Sequence, residues 1–158
     1  MMFDAKPIRR ADVLVVKSTY GDRLHNELDT QQSLLEIIMQ TVKRGGTVLI
    51  PSFAVGRAQL LLYHLMKLKQ AGHIPNVPVF LNSPMAISAT EIYKNFHNQH
   101  KLSQEDCQAI DEMTHYVCTA EESIALTEKS FPSVIISASG MASGGRVLHH
   151  MKTLVGNH

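Results

Sequence analysis

GGTVLIPSFAVGRAQ, residues 45–59, is the stretch on which the reading of this chain turns. Its paired glycines, Gly45 and Gly46, stop a helix whose apolar residues Leu28, Leu34, Leu35, Ile37, Ile38 and Val42 recur at helical spacing between Glu27 and Arg44. Thr47 to Ile50 (TVLI) is a short β-branched and aliphatic run, the pattern of a strand buried on both faces. Next come a polar loop, Pro51 to Arg57, and a second helix, Ala54 to Ala71, closed by Gly72. Helix, strand and helix in direct succession are the unit from which parallel α/β sheets are built.

The same alternation extends in both directions. Strands are predicted at Asp12–Lys17 (DVLVVK), Pro78–Leu81 (PVFL), Tyr116–Cys118 and Ser133–Ala138 (SVIISA). Helices are predicted from Pro84, where proline suits a first turn, and over Leu102–Met113, Ala120–Lys129 and Gly144–Leu154. The prediction is an α/β fold with a mostly parallel, doubly wound (Rossmann-like) sheet and helices on both faces. With 158 residues, 44% of them apolar, residues 1–158 suit a single domain.

Composition narrows the function classes. The 15 basic residues nearly balance the 14 acidic ones, so phosphate recognition would need a local patch. Two cysteines, Cys107 and Cys118, are too few for a disulfide scaffold and fit a reducing compartment. The apolar runs are too short to span a bilayer, and MMFDAKPIRR at the N-terminus lacks the build of a secretion signal. A cytoplasmic protein without membrane contact is expected.

Each of four predicted strands runs into a loop of small hydroxyl, glycine and arginine residues. These loops are Ser18-Thr19-Tyr20-Gly21-Asp22-Arg23-Leu24-His25, Pro51 to Arg57, Asn82-Ser83-Pro84-Met85, and Ser139-Gly140-Met141-Ala142-Ser143-Gly144-Gly145-Arg146. In a parallel sheet all four emerge at the carboxyl edge, where doubly wound folds bind ligands. Helix N-termini there favour anions, serine hydroxyls add hydrogen bonds, and Arg57 and Arg146 suit bidentate contact with phosphate. The expected ligand is a phosphate or a run of them. The competing reading makes the serines and glycines helix caps and turn formers. A Walker-type phosphate loop is absent, and no G-x-G-x-x-G follows the first predicted strand.

Nine histidines raise the question of metal. H-x-H-x-D-H, H-E-x-x-H and C-x-x-C are all missing, and the adjacent His149 and His150 fall on divergent helix faces. No metal is therefore expected in this chain. His25, beside Arg23 in the first loop, reads as a phosphate contact. Met39, Met66, Met85, Met113, Met141 and Met151 read as core filler, and both cysteines as inert.

STYGDRLH, GGTVLIPSFAVGRAQ, NSPMA and SGMASGGRVLHHMK, in that order, resemble the β-CASP domain of RNA-processing metallo-β-lactamase-fold nucleases. That family includes the nuclease subunit of the cleavage and polyadenylation complex and bacterial and archaeal relatives. The likeness runs from about Arg10 to His158 and is strongest to the bacterial RNA-specific branch. It implies a zinc-dependent ribonuclease (a hydrolase) in which a lactamase-type domain carries two zinc ions on His and Asp residues. The β-CASP domain lies over the RNA cleft and positions the backbone of single-stranded RNA. The zinc signatures are not in this sequence, so the expectation is a fragment lacking the metallo-β-lactamase half, without a complete catalytic set and inactive alone.

The phosphate-contacting residues expected on this reading are Ser18, Thr19, Tyr20, Arg23, His25, Ser52, Phe53, Arg57, Ser83, Ser139, Gly140, Met141, Gly145 and Arg146. Two positions depart from the family pattern. Lys17 replaces an acidic residue that orients a histidine near the metals, reversing its charge. Asn82 stands where many members have aspartate. Homo-oligomerisation is compatible with the sequence. Two other function classes stand beside this one. One is a free-standing doubly wound domain binding a phosphorylated metabolite or nucleotide, and the other is a scaffold whose edge loops are only caps.

Overall fold

β-Branched runs and amphipathic segments alternate along the chain, and a computed structural model shows how they assemble. It describes residues 1–24, 29–129 and 131–155. In order, the elements are α1 (Thr30–Lys43), β1 (Thr47–Pro51), α2 (Arg57–Gln70), β2 (Val79–Asn82), α3 (Pro84–Asn95), a 3₁₀ turn (His97–Gln99), α4 (Gln104–Met113), β3 (Thr114–Tyr116), α5 (Ala120–Glu128), β4 (Ser133–Ser137) and α6 (Val147–Leu154). The strands form one four-stranded sheet in the order β1-β4-β2-β3, with every pair parallel.

Alternation along the strands divides the core in two. Val48, Val79, Leu81, Val134 and Ile136 pack with Leu34 and Ile38 of α1, Leu62 and Leu65 of α2, Ala86 of α3 and Ile110 of α4. On the opposite face Ile135 meets Val117 and Leu126, with Leu49, Phe80 and Phe131 against them. Helices thus cover both faces, as expected of a parallel sheet. Central β4 is buried along its whole length.

The register positions the site. Pro51, Ser137 and Asn82 align across β1, β4 and β2, so these three strands finish level. Ser52, Ala138 and Ser83 therefore leave the sheet side by side, and the Ser52 N–H extends the ladder by donating to the Ser137 carbonyl at 2.9 Å.

Several expectations need correction. Asp12–Lys17 is not a strand: it pairs with none of the described residues, and Val13, Leu14, Val15 and Val16 are exposed. β-Branched residues favour extended backbone, but a strand needs a neighbour to hydrogen-bond. β3 begins two residues earlier than predicted because α4 passes into it directly. There the Thr114 hydroxyl donates to the Ile110 carbonyl at 2.6 Å and closes the helix without a glycine. α2 and α6 each start three residues later than predicted, since Gly56 (φ +80°) and Gly145 (φ +76°) keep their loops out of helical geometry. Finally, Met39, Met85 and Met141 are exposed rather than core residues.

Candidate ligand cleft

Three level strand ends and the loops that follow them enclose a cleft of about 500 Å³ at the carboxyl edge of the sheet. The β1–α2 loop contributes Ser52, Phe53 and Ala54; the β2–α3 junction Asn82, Ser83, Pro84 and Met85; and the β4–α6 loop Ala138, Ser139, Gly140, Gly145 and Arg146. Two glycines let these loops close up. A Cβ on Gly140 would lie 2.8 Å from the Phe53 nitrogen, and one on Gly145 would lie 2.7 Å from the Ala138 carbonyl oxygen.

The cap reading holds for one serine. Ser83 is buried, and its hydroxyl accepts from the Ala86 N–H at 3.3 Å, closing the N-terminus of α3 with Pro84 in the first turn. Ser52 is also buried and donates to the Phe53 carbonyl at 3.2 Å. Ser139 is half-buried in the cleft wall. Phe53 and Met85 are more than half exposed at its mouth, and both present apolar surface to whatever enters.

Arg146 supplies the charge. Its Nη1 donates to Asn82 Oδ1 at 2.9 Å and to the Val117 carbonyl at 2.9 Å, and Nη2 donates to the Cys118 carbonyl at 2.8 Å. All three acceptors are neutral, and among the described residues Arg146 makes no ion pair. Three hydrogen bonds leave two of the five guanidinium donors unspent. Among the described residues the cleft lining has no carboxylate, imidazole or thiol. Nearby, the Glu121 and Glu122 carboxyls are held below their ordinary range. Backbone hydrogen bonds at the start of α5 are the main cause, with the charge of Arg146 a smaller one. The described lining is chemically suited to an anion, and none of its described side chains is an acid or base suited to proton transfer.

Seven of the anticipated residues therefore meet in one place: Ser52, Phe53, Ser83, Ser139, Gly140, Gly145 and Arg146. Arg57 and Met141 are exposed outside the lining. Ser18, Thr19, Tyr20 and Arg23 are exposed and do not join it, because the segment before them is not in the sheet. Arg23 instead reaches Asp22 at 3.2 Å and lies 5.6 Å from the Tyr20 ring centroid. Lys17 is exposed, and His25 lies outside the described residues.

Asn82 and His150 were not among the anticipated contacts. Both are fully buried, with Asn82 Nδ2 and His150 Nε2 2.6 Å apart. Asn82 directly precedes the S-P dipeptide of a helix start, a signal pointing to a wall position. For His150 the only hint is that one member of an adjacent histidine pair on a helix faces inward. Among the described residues no three His, Cys, Asp or Glu side chains converge as a metal site. Among the described residues no helix is long and apolar enough to cross a membrane.

Comparison with known proteins gives the geometry its context. Residues 58–158 match the Beta-Casp domain family, which leaves STYGDRLH outside the match. The chain is 37% identical over 157 residues to Ribonuclease TTHA0252 of Thermus thermophilus, covering 90% of this chain and 34% of that protein. It is 33% identical over 152 residues to an RNase J-like protein of Methanocaldococcus jannaschii, covering 93% and 35%. Over 155 residues it is 32% identical to transcription termination factor FttA of Pyrococcus horikoshii, covering 92% and 24%. The chain thus spans about a third or less of the length of these relatives.

Proposed function

Because this chain belongs to the Beta-Casp domain family, we propose that it holds the backbone of single-stranded RNA at the carboxyl edge of its sheet, as the RNA-positioning domain of a zinc-dependent ribonuclease. One observation carries the reading. Level strand ends bring Ser52, Ser83 and Ser139 into one cleft lining with Arg146, and among the described residues that lining has no carboxylate to repel phosphate. Phe53 adds an exposed ring at the mouth, the kind of surface on which unpaired bases stack.

The names of two relatives support the substrate class, since one is called a ribonuclease and another RNase J-like. In this proposal the zinc ligands and the bond-breaking chemistry belong to a metallo-β-lactamase part of a longer cytoplasmic protein. The present residues bind and orient the strand, a contribution that accelerates cleavage by fixing the scissile phosphate in place. Backbone contacts of this kind carry affinity without sequence preference.

Titration with single-stranded RNA at several salt concentrations tests the proposal. Each phosphate neutralised should add roughly −0.7 to the slope of log affinity against log salt. Binding that ignores salt would overturn the reading. So would saturable stabilisation by one phosphorylated metabolite with none by RNA, which would favour a small-molecule site.

A further inference from the structure

We propose that His150 is a positioning residue for Arg146, and that it works only as the neutral imidazole protonated at Nδ1. Its importance for ligand binding rests on the cleft reading above; its geometry does not. At both ends of the cluster the hydrogen-bonding roles are fixed. A guanidinium only donates and a backbone carbonyl only accepts.

From the first end, Arg146 Nη1 donates at 2.9 Å, so the Asn82 atom facing it is the amide oxygen. Asn82 Nδ2 then faces Ser123 Oγ at 2.7 Å and His150 Nε2 at 2.6 Å, which uses both amide hydrogens. Nε2 must therefore carry a lone pair. From the other end, Thr127 Oγ1 donates to the Ser123 carbonyl at 2.8 Å, which spends its only hydrogen. The 2.7 Å contact between Thr127 Oγ1 and His150 Nδ1 must then be an Nδ1–H donating to the hydroxyl oxygen. Both ends demand the same tautomer. A directed chain runs from Arg146 through Asn82, His150 and Thr127 to the Ser123 carbonyl.

A second proton on His150 breaks that chain. Nε2–H would face the Asn82 amide hydrogens. Turning the amide over would serve the imidazolium but set NH₂ against the guanidinium. In either case one donor is left facing another at the fully buried Asn82. Among the described residues no counter-charge faces the ring. Arg146 and His149 are the titratable groups acting on the ring from its own helix and the residue before it. Asn82 faces it from β2, and Ser123 and Thr127 from α5. β1, packed on α6, carries no titratable side chain, and Glu121, Glu122 and Glu128 of α5 are exposed. Burial, followed by the neighbouring cations, also pushes the imidazole below its ordinary value. Acid therefore sets the Asn82–His150 contact against the Asn82–Arg146 hydrogen bond; turning the amide relieves the first and leaves Arg146 held by the Val117 and Cys118 carbonyls alone.

The test is imidazole and guanidinium NMR on the ¹⁵N-labelled chain. The expected result is an Nδ1–H tautomer for His150, titrating below the ordinary histidine value of about 6.5. The Arg146 Nη hydrogens should be separately resolved while the clamp holds and should merge with the same midpoint. Asn82→Asp provides the reverse case. A carboxylate accepts from Arg146 and from a protonated His150 together, so this variant should raise the histidine midpoint above 6.5 while the Arg146 signals stay resolved at pH 7. An Nε2–H tautomer, Arg146 signals indifferent to His150, or an unshifted midpoint in Asn82→Asp would each overturn the proposal. The expected tautomer and coupled midpoints without any RNA binding would support it while sinking the cleft reading.

Discussion

Arg146 and Asn82, 64 positions apart in sequence, meet through an Nη1–Oδ1 hydrogen bond of 2.9 Å that ties the β4–α6 loop to the end of β2. The same guanidinium reaches the Val117 and Cys118 carbonyls, so one side chain fastens three carboxyl-edge segments. The residue that charges the cleft is also the one that holds it together.

Arg146→Ala should therefore cost stability as well as binding. It leaves three acceptors without their donor, a loss of about 2–3 kcal/mol. For a chain of this length that lowers Tm by roughly 4–12 °C. Arg146→Lys keeps the charge but cannot span three acceptors, so its Tm should fall between the two. A melting curve of Arg146→Ala that matches wild type would mean the guanidinium is free in solution.

Phe53 separates binding from stability. Its side chain is more than half exposed, so Phe53→Ala should change stability by less than about 1 kcal/mol. A stacked base contributes about 1–3 kcal/mol, so affinity for single-stranded RNA should drop roughly 5- to 150-fold. Gly140→Ala attacks the same ring from behind. Its new Cβ would sit 2.9 Å from Phe53 Cδ2 and 2.8 Å from the Phe53 nitrogen. The ring can swing away but the backbone cannot, so about 1–3 kcal/mol of stability should go with the affinity. Calorimetry and RNA titration of the two variants, run together, separate these outcomes.

How far the sequence could be read depends on what each signal measures. β1, β2, β4 and every helix were legible because their apolar periodicity records burial inside this sheet. Ser52, Ser83 and Ser139 were legible as a group because they follow strands that end level. Asp12–Lys17 misled because β-branched composition records a tendency to extend, whereas pairing depends on a neighbour the segment itself does not specify. The loop after it lost its place at the sheet edge for the same reason. The role of Asn82 was hidden too, since its partners Ser123, Arg146 and His150 are distant in sequence.

The exposed run gives a direct check on that correction. Val15 is 91% exposed, so Val15→Asp should alter the stability of this chain by no more than about 0.5 kcal/mol. Ile135→Asp, in the buried central strand, should prevent folding. Denaturant melts of the two variants compare them directly. A large loss in Val15→Asp would restore the segment to the core.

Acid sensitivity should arise in part outside the cleft lining, at α4. Asp106 Oδ1 accepts from Lys67 Nζ at 2.8 Å, and its Oδ2 accepts from the Ser103 N–H at 3.3 Å in a reciprocal helix cap. The hydrogen bond from Lys67 is the main reason its carboxyl lies below the ordinary range, with the Ser103 contacts adding to it. A carboxyl whose folded pKa is depressed stabilises the fold above its unfolded value of about 3.9, and that contribution is lost as pH falls through the folded value. Asp106→Asn keeps the shape and the cap acceptor but removes the charge. It should melt lower than wild type at pH 7, and the gap should narrow steadily below about pH 4. Lys67 is partly exposed, so salt should shrink the gap at neutral pH as well. Thermal melts of the two proteins across pH 2.5–7 measure this, and a gap that stays constant with pH would show that Asp106 acts through its shape alone.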